Sequence, residues 1–182
     1  MKRVFSGLAI ACASLLAIGF LLGETTKQAL YRSANFGYQV YVPPGWSVSE
    51  DRLATSGAVK DKPKITFIIR PLGNPRRLTP REQLAEIIAR KPAGSIFART
   101  SILRAGLEGF QLEYVTETAR GAFRTLHILL FQGEETEGEK RVFRTCYEMI
   151  YSAPEGFYQD FRAEFVRSVE SFLPPPASKR KE

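Results

Sequence analysis

The chain has 182 residues, with 26 Lys+Arg against 19 Asp+Glu and a formal net charge of +7. Apolar residues make up 44% and charged residues 25%, an ordinary globular composition. That excludes a wholly disordered chain, a collagen-like repeat and a polytopic membrane protein, and the length leaves room for one domain.

Met1-Lys2-Arg3 is a short basic start, and Val4 to Gly23 carries no charge. Twenty uncharged residues at about 1.5 Å rise give roughly 30 Å of helix, one bilayer core. Lys2 and Arg3 hold the cytoplasmic side, so the remainder is expected to be exported. Two readings of residues 1–23 stay open, an uncleaved transmembrane anchor and a cleaved signal peptide. The stretch is long for a signal peptide, and a cut after Gly23 would put Leu21 where a small residue is wanted. Ala9-Ile10-Ala11-Cys12 resembles a lipoprotein processing site only weakly, because the apolar stretch is too short before Cys12 and continues past it. The cysteines are Cys12 and Cys146 alone, so no disulfide framework is expected.

Residues 24–30 read as a linker. Tyr38-Gln39-Val40-Tyr41-Val42 is β-rich and ends at the Pro43-Pro44-Gly45 turn. Trp46 to Glu50 suits a second short strand, Asp51 to Lys62 a polar loop, and Ile65 to Ile69 a buried strand closed by Pro71 to Pro75. Thr79-Pro80-Arg81-Glu82 is a helix start, with a capping threonine, a proline at the first helical position and a glutamate at the capping-box position. Leu84, Ile87 and Ile88 give that helix one apolar stripe, and Arg90 and Lys91 complement its dipole near the end. Four strands follow, at about 95–104, 108–118, 123–131 and 141–152, with short connections that favour antiparallel neighbours. Phe123 to Phe131 is apolar on both faces and should be central. Gln132 to Lys140 reads as an acidic loop. Pro154-Glu155-Gly156 opens a last helix with an aromatic stripe of Phe157, Phe161, Phe165, Val169 and Phe172. Residues 174–182 form a Pro-rich basic tail.

The stretch Tyr31…Asn35-Phe36-Gly37-Tyr38-Gln39-Val40-Tyr41-Val42-Pro43-Pro44-Gly45-Trp46 resembles the opening of PsbP-like and Mog-like domains. There an aromatic-Gly-aromatic strand runs into a Pro-x-Gly-Trp turn. Gly109-Phe110-Gln111-Leu112-Glu113-Tyr114 is similar to their mid-domain strand, and Phe161…Phe165…Ser168-Val169…Ser171-Phe172 to their closing helix. The resemblance spans residues 31–173 and rests on packing and turn motifs. It implies an α+β fold, an antiparallel sheet flanked by helices in an α/β/α sandwich. It also implies a non-enzymatic binding or assembly factor, and it supplies no catalytic residue and no cofactor. Fold alone does not select a function within such a family.

Chemistry-bearing residues are few. His127, the only histidine, sits mid-strand between Leu126 and Ile128 and fits a packed strand residue better than a catalytic one. There is no His-Glu-x-x-His, no Cys-x-x-Cys and no phosphate-binding glycine loop, so zinc is not expected. Glu134, Glu135, Glu137 and Glu139 invite comparison with a hard-cation site, yet their spacing matches no EF-hand. Residues 60–104 carry 11 Lys+Arg against 3 Asp+Glu, whereas 105–176 carry 7 against 12. Arg70, Arg76, Arg77 and Arg81 are therefore the candidate partner-binding residues, facing an acidic partner or anionic headgroups. Nucleic acid is disfavoured for an exported domain. The expected protein is an extracytoplasmic accessory or assembly factor on a membrane protein complex. A small-molecule or lipid-binding module is the alternative, and a hydrolase built on His127 ranks a distant third.

Overall fold

The computed structural model describes residues 30–176. The membrane segment expected at 1–23, most of the linker and most of the basic tail lie outside the described residues. The elements in chain order are β1 (Leu30–Arg32), β2 (Gln39–Tyr41), β3 (Trp46–Glu50), β4 (Thr55–Val59), β5 (Lys62–Gly73), α1 (Pro80–Ala89), β6 (Ile96–Arg104), β7 (Leu107–Thr118), β8 (Gly121–Glu137), β9 (Lys140–Pro154) and α2 (Glu155–Glu170). Strands β3 to β9 form one seven-stranded sheet in the order β3-β4-β5-β9-β8-β7-β6. Every pairing in it is antiparallel. β1 and β2 form a separate antiparallel ribbon.

The two faces of β8 explain the layering. Leu126, Ile128 and Leu130 join Met149, Tyr151, Phe165 and Val169 in the larger core under α2. Leu129 and Phe131 join Leu84, Ile87, Leu112 and Phe143 in a smaller core under α1. A strand buried on both faces has no polar side to show, as its sequence predicts. The result is an α+β fold with one helix on each face of the sheet.

The Pro43-Pro44-Gly45-Trp46 turn forms as expected. Gly45 takes φ +83, where a side chain is disfavoured, and Trp46 then packs on Phe67 and Phe165 at 5.6 and 6.2 Å between ring centroids. The next segment differs from expectation. Asp51 to Lys62 is not all loop, because Thr55–Val59 is a strand. Its small polar residues suit close packing: a Cβ on Gly57 would lie 2.3 Å from Phe67 Cε1. β5 also runs on through Pro71 to Gly73. β4 pairs with it only as far as Ile69, so beyond that point β5 has a free side where proline is tolerated.

The acidic stretch 132–140 is a second correction. It is the end of a β-ribbon in which Glu134 pairs with Phe143, Glu135 with Val142 and Glu137 with Lys140. The chain reverses at Gly138, with φ +61. Glutamates read as loop formers, but the ribbon places each described carboxylate that makes an ion pair there beside an arginine.

In α2 the buried face is Tyr158, Phe165, Ser168 and Val169. Phe157 is half exposed and lies beneath Lys62 Nζ, 5.4 Å from the ring centroid. Phe172 falls beyond the helix and is buried against Tyr38 and Tyr147. Beside the same β1–β2 ribbon, Glu50 anchors the turn after β1. Its carboxylate accepts from Tyr31 Oη at 2.6 Å, from Ser33 Oγ at 3.1 Å, and from the backbone N–H of Ala34 and Asn35.

Candidate binding groove

The loop before α1 is fixed by Asn74. Its Nδ2 donates to the carbonyls of Leu78 and Phe143 at 2.8 and 2.9 Å, and its Oδ1 accepts from Leu78 N–H at 2.9 Å. The helix then starts with the expected capping box. Thr79 Oγ1 accepts from Glu82 N–H at 3.3 Å, and the Glu82 carboxylate accepts from Thr79 N–H at 2.6 Å. That backbone donor, with Lys140 Nζ at 3.1 Å, holds the Glu82 carboxyl below its ordinary range. Leu84 and Ile87 pin the helix to the sheet. Arg81, Ala85 and Ile88 are left along its flank, facing β6 and β7.

Between that flank, the two strands and the tip of the β8–β9 ribbon lies an open groove of about 1200 Å³. Leu84, Ala85, Ile88 and Phe110 supply apolar surface, and Arg81, Arg99, Lys140 and Arg141 supply positive charge. Two of these cations are committed. Lys140 holds Glu82, and Arg141 holds Glu134 and, at 3.3 Å, Glu108. These ion pairs tie the ribbon tip to α1 and to the start of β7, closing one end of the groove. Arg81 and Arg99 are exposed and have no hydrogen-bond or ion-pair partner among the described residues.

The four arginines singled out in the sequence have different fates. Arg70 projects from β5 to Glu148, with Nε 2.6 Å from the carboxylate. Arg76 pairs with Glu86, and Arg77 with Glu135 at 3.1 Å. Only Arg81 lines the groove. Arg99 escaped the sequence reading because it sits in a strand, and one strand residue gives no sign of which loop or helix it will face. The acidic residues resolve similarly: Glu134 is held by Arg141, and Glu135 by Arg77 and Arg144. Among the described residues no three His, Cys, Asp or Glu side chains gather as a metal site would need.

His127 lies beneath the α1 face of the sheet, 3% exposed. Its Nε2 is 3.0 Å from Glu148 Oε1 and its Nδ1 3.5 Å from Tyr114 Oη. Burial alone would raise the Glu148 pKa, but the hydrogen bonds and charges of His127 and Arg70 outweigh it and hold the carboxyl below its usual value. Buried in this way, His127 cannot meet a substrate. Cys146 is buried too, and desolvation pushes its thiol up, away from the reactive thiolate. The space between the sheet and α2 is filled by Tyr151, Tyr158, Phe165 and their neighbours.

Among the described residues, no helix is long and apolar enough to cross a membrane. No family profile matches the sequence, and no curated protein matches it. Solved structures do. Cyanobacterial PsbP from Synechocystis superposes with a TM-score of 0.55 at 12% identity, over 84% of this chain and 96% of that one. LpqN of Mycobacterium tuberculosis, described as involved in cell envelope biogenesis, gives 0.55 at 10% identity over 87% and 96%. A Pseudomonas aeruginosa protein of unknown function gives 0.51 at 10% identity over 82% and 98%. These likenesses do not show a Mog-like relation. At such identities the likeness concerns the fold, and the fold of this chain is PsbP-like.

Proposed function

We propose that this protein is a non-catalytic extracytoplasmic accessory or assembly factor. It is held at the membrane by residues 1–23 and docks on a membrane protein complex through the groove beside α1. The observation that carries the reading is the pair of unpartnered arginines, Arg81 and Arg99, on an apolar groove in which the other cations are bound. An unpaired cation at a surface groove is available to a partner's carboxylate at little desolvation cost. Of the other candidate arginines, Arg76 is paired with Glu86, Arg77 with Glu135 and Arg70 with Glu148, so Arg81 is the one that serves the groove. Sequestration of His127 and Cys146 supports a non-catalytic role. The PsbP and envelope-biogenesis neighbours lend support to an extracytoplasmic setting.

The groove's apolar floor also favours a second reading, a small-molecule or lipid-binding module. The experiment is affinity purification of the tagged full-length protein from detergent-solubilised membranes, with intact-mass analysis of the bait. A stoichiometric membrane complex is expected, lost in Arg81→Glu/Arg99→Glu and kept in Arg120→Glu, a charge reversal at the distant β7–β8 turn. A complex indifferent to the double reversal would remove the groove from the docking surface. A bait carrying a small molecule and no protein would replace the first reading with the second.

A further inference from the structure

We infer that β6 is an open template onto which an acidic, extended segment of a protein partner adds as a further strand. The inference rests on the docking reading and specifies the partner at that groove. β6 is nine residues long and ends the sheet order, pairing with β7 on one side only. Residues 97 to 101 are exposed without interruption. The other edge strand, β3, is five residues long, and the turn after β1 bonds to it through Glu50 and the Asp51 carbonyl. No described strand occupies the outer side of β6, so its outward N–H groups have no backbone partner among the described residues; of its carbonyls, Leu103 O accepts from Arg104 Nη1 at 2.9 Å, a side-chain bond that an added strand would displace.

The side chains specify the occupant. Arg99 opposes Leu112 and Ser101 opposes Phe110, so both stand on the α1 face, where they line the groove with Arg81. A strand laid outside β6 would send every second side chain toward that face, about 6.6 Å apart. Carboxylates there would meet Arg99 and Arg81, and an apolar side chain further along would meet exposed Leu103. The same arginines disfavour a second copy of β6, since edge-to-edge pairing would bring like charges together. Backbone bonds supply affinity in such strand addition and alternate side chains supply specificity.

The test uses full-length protein in detergent and a fluorescent nine-residue peptide of alternating Glu and Val, read by anisotropy. Binding is expected, with a loss of about tenfold or more in Arg81→Glu/Arg99→Glu. Both positions are exposed, so the variant is expected to fold. Two further peptides are N-methylated at odd or at even positions. Only one parity donates its N–H groups to β6, so one peptide should lose binding and the other keep it. Equal behaviour of the two, or no binding, overturns the strand addition. So does arginine-dependent binding to phosphatidylglycerol vesicles without peptide binding. If capture of the membrane complex needs Arg81 and Arg99 while peptide binding ignores parity, the accessory reading stands and the strand addition falls. Parity-dependent peptide binding with no membrane complex gives the reverse.

Discussion

Glu148→Ala should destabilise the fold more than removal of its half-exposed partner Arg70. Glu148 sits on β9, is 5% exposed and links His127, 3% exposed, to Arg70. Removing it strands the imidazole Nε2 and leaves the Arg70 guanidinium without its carboxylate. Leaving a buried polar group without its partner costs about 1–3 kcal/mol. At roughly 2–4 °C per kcal/mol for a domain of this size, Tm should fall by about 2–12 °C. Arg70→Ala should cost about 1 kcal/mol or less, because its side chain is 43% exposed and such contacts are screened by solvent. The pair His127→Leu/Glu148→Met should recover part of the loss, since apolar replacement of both partners leaves nothing unsatisfied between them. Thermal and urea unfolding followed by circular dichroism give all three values. A Tm fall under about 1 °C for Glu148→Ala, or a double variant worse than both singles together, would refute the reasoning.

Acid should weaken the fold through the same kind of group. Hydrogen bonds from Tyr31, Asn35 and Ser33 outweigh the effect of burial on Glu50 and hold its carboxyl low, as His127 and Arg70 do for Glu148. Their contribution is complete above the unfolded carboxyl pKa of about 4.3 and is lost as pH falls through the lower folded values. Tm measured against pH should be flat near neutrality and drop below about pH 4, with a shallower drop in Glu50→Gln; an equal slope would contradict the role assigned to Glu50. Gly109→Ala should cost about 1–3 kcal/mol or more by overpacking, because its Cβ would fall 1.9 Å from the Leu129 carbonyl oxygen. Urea unfolding of this variant within about 0.5 kcal/mol of the parent would show that β7 can move away from β8 at little cost.

What could be read in advance followed from local physics. The capping box of α1, the Gly45 turn and the doubly apolar β8 are each specified within a few residues, and each formed as written. The phase of α2 was less legible. Phe157 and Tyr158 are adjacent, and only the sheet beneath decides which is buried. The glutamates of 132–140 taken alone favour a loop, whereas Arg141 and Arg144 on the facing strand neutralise two of them and let the ribbon form. The groove depended on long-range placement. Arg81 and Arg99 are 18 positions apart in the chain and meet only because α1 lies across the end of the sheet that β6 borders.

The short strand β2 has a mechanical consequence. On one side it pairs with β1, and on the other a single bridge joins Gln39 to Leu173, with Tyr41 N–H bonded to Ser171 Oγ at 2.7 Å. The first and last described stretches of the chain thus flank the same three residues. A pull on either would load this small clasp first, peeling Leu30 from Tyr41 or Leu173 from Gln39 one pairing at a time. The seven-stranded sheet, and the groove on its far edge, would carry load only after the clasp had opened. Tension from a tether would then be absorbed at one corner while the docking surface kept its shape.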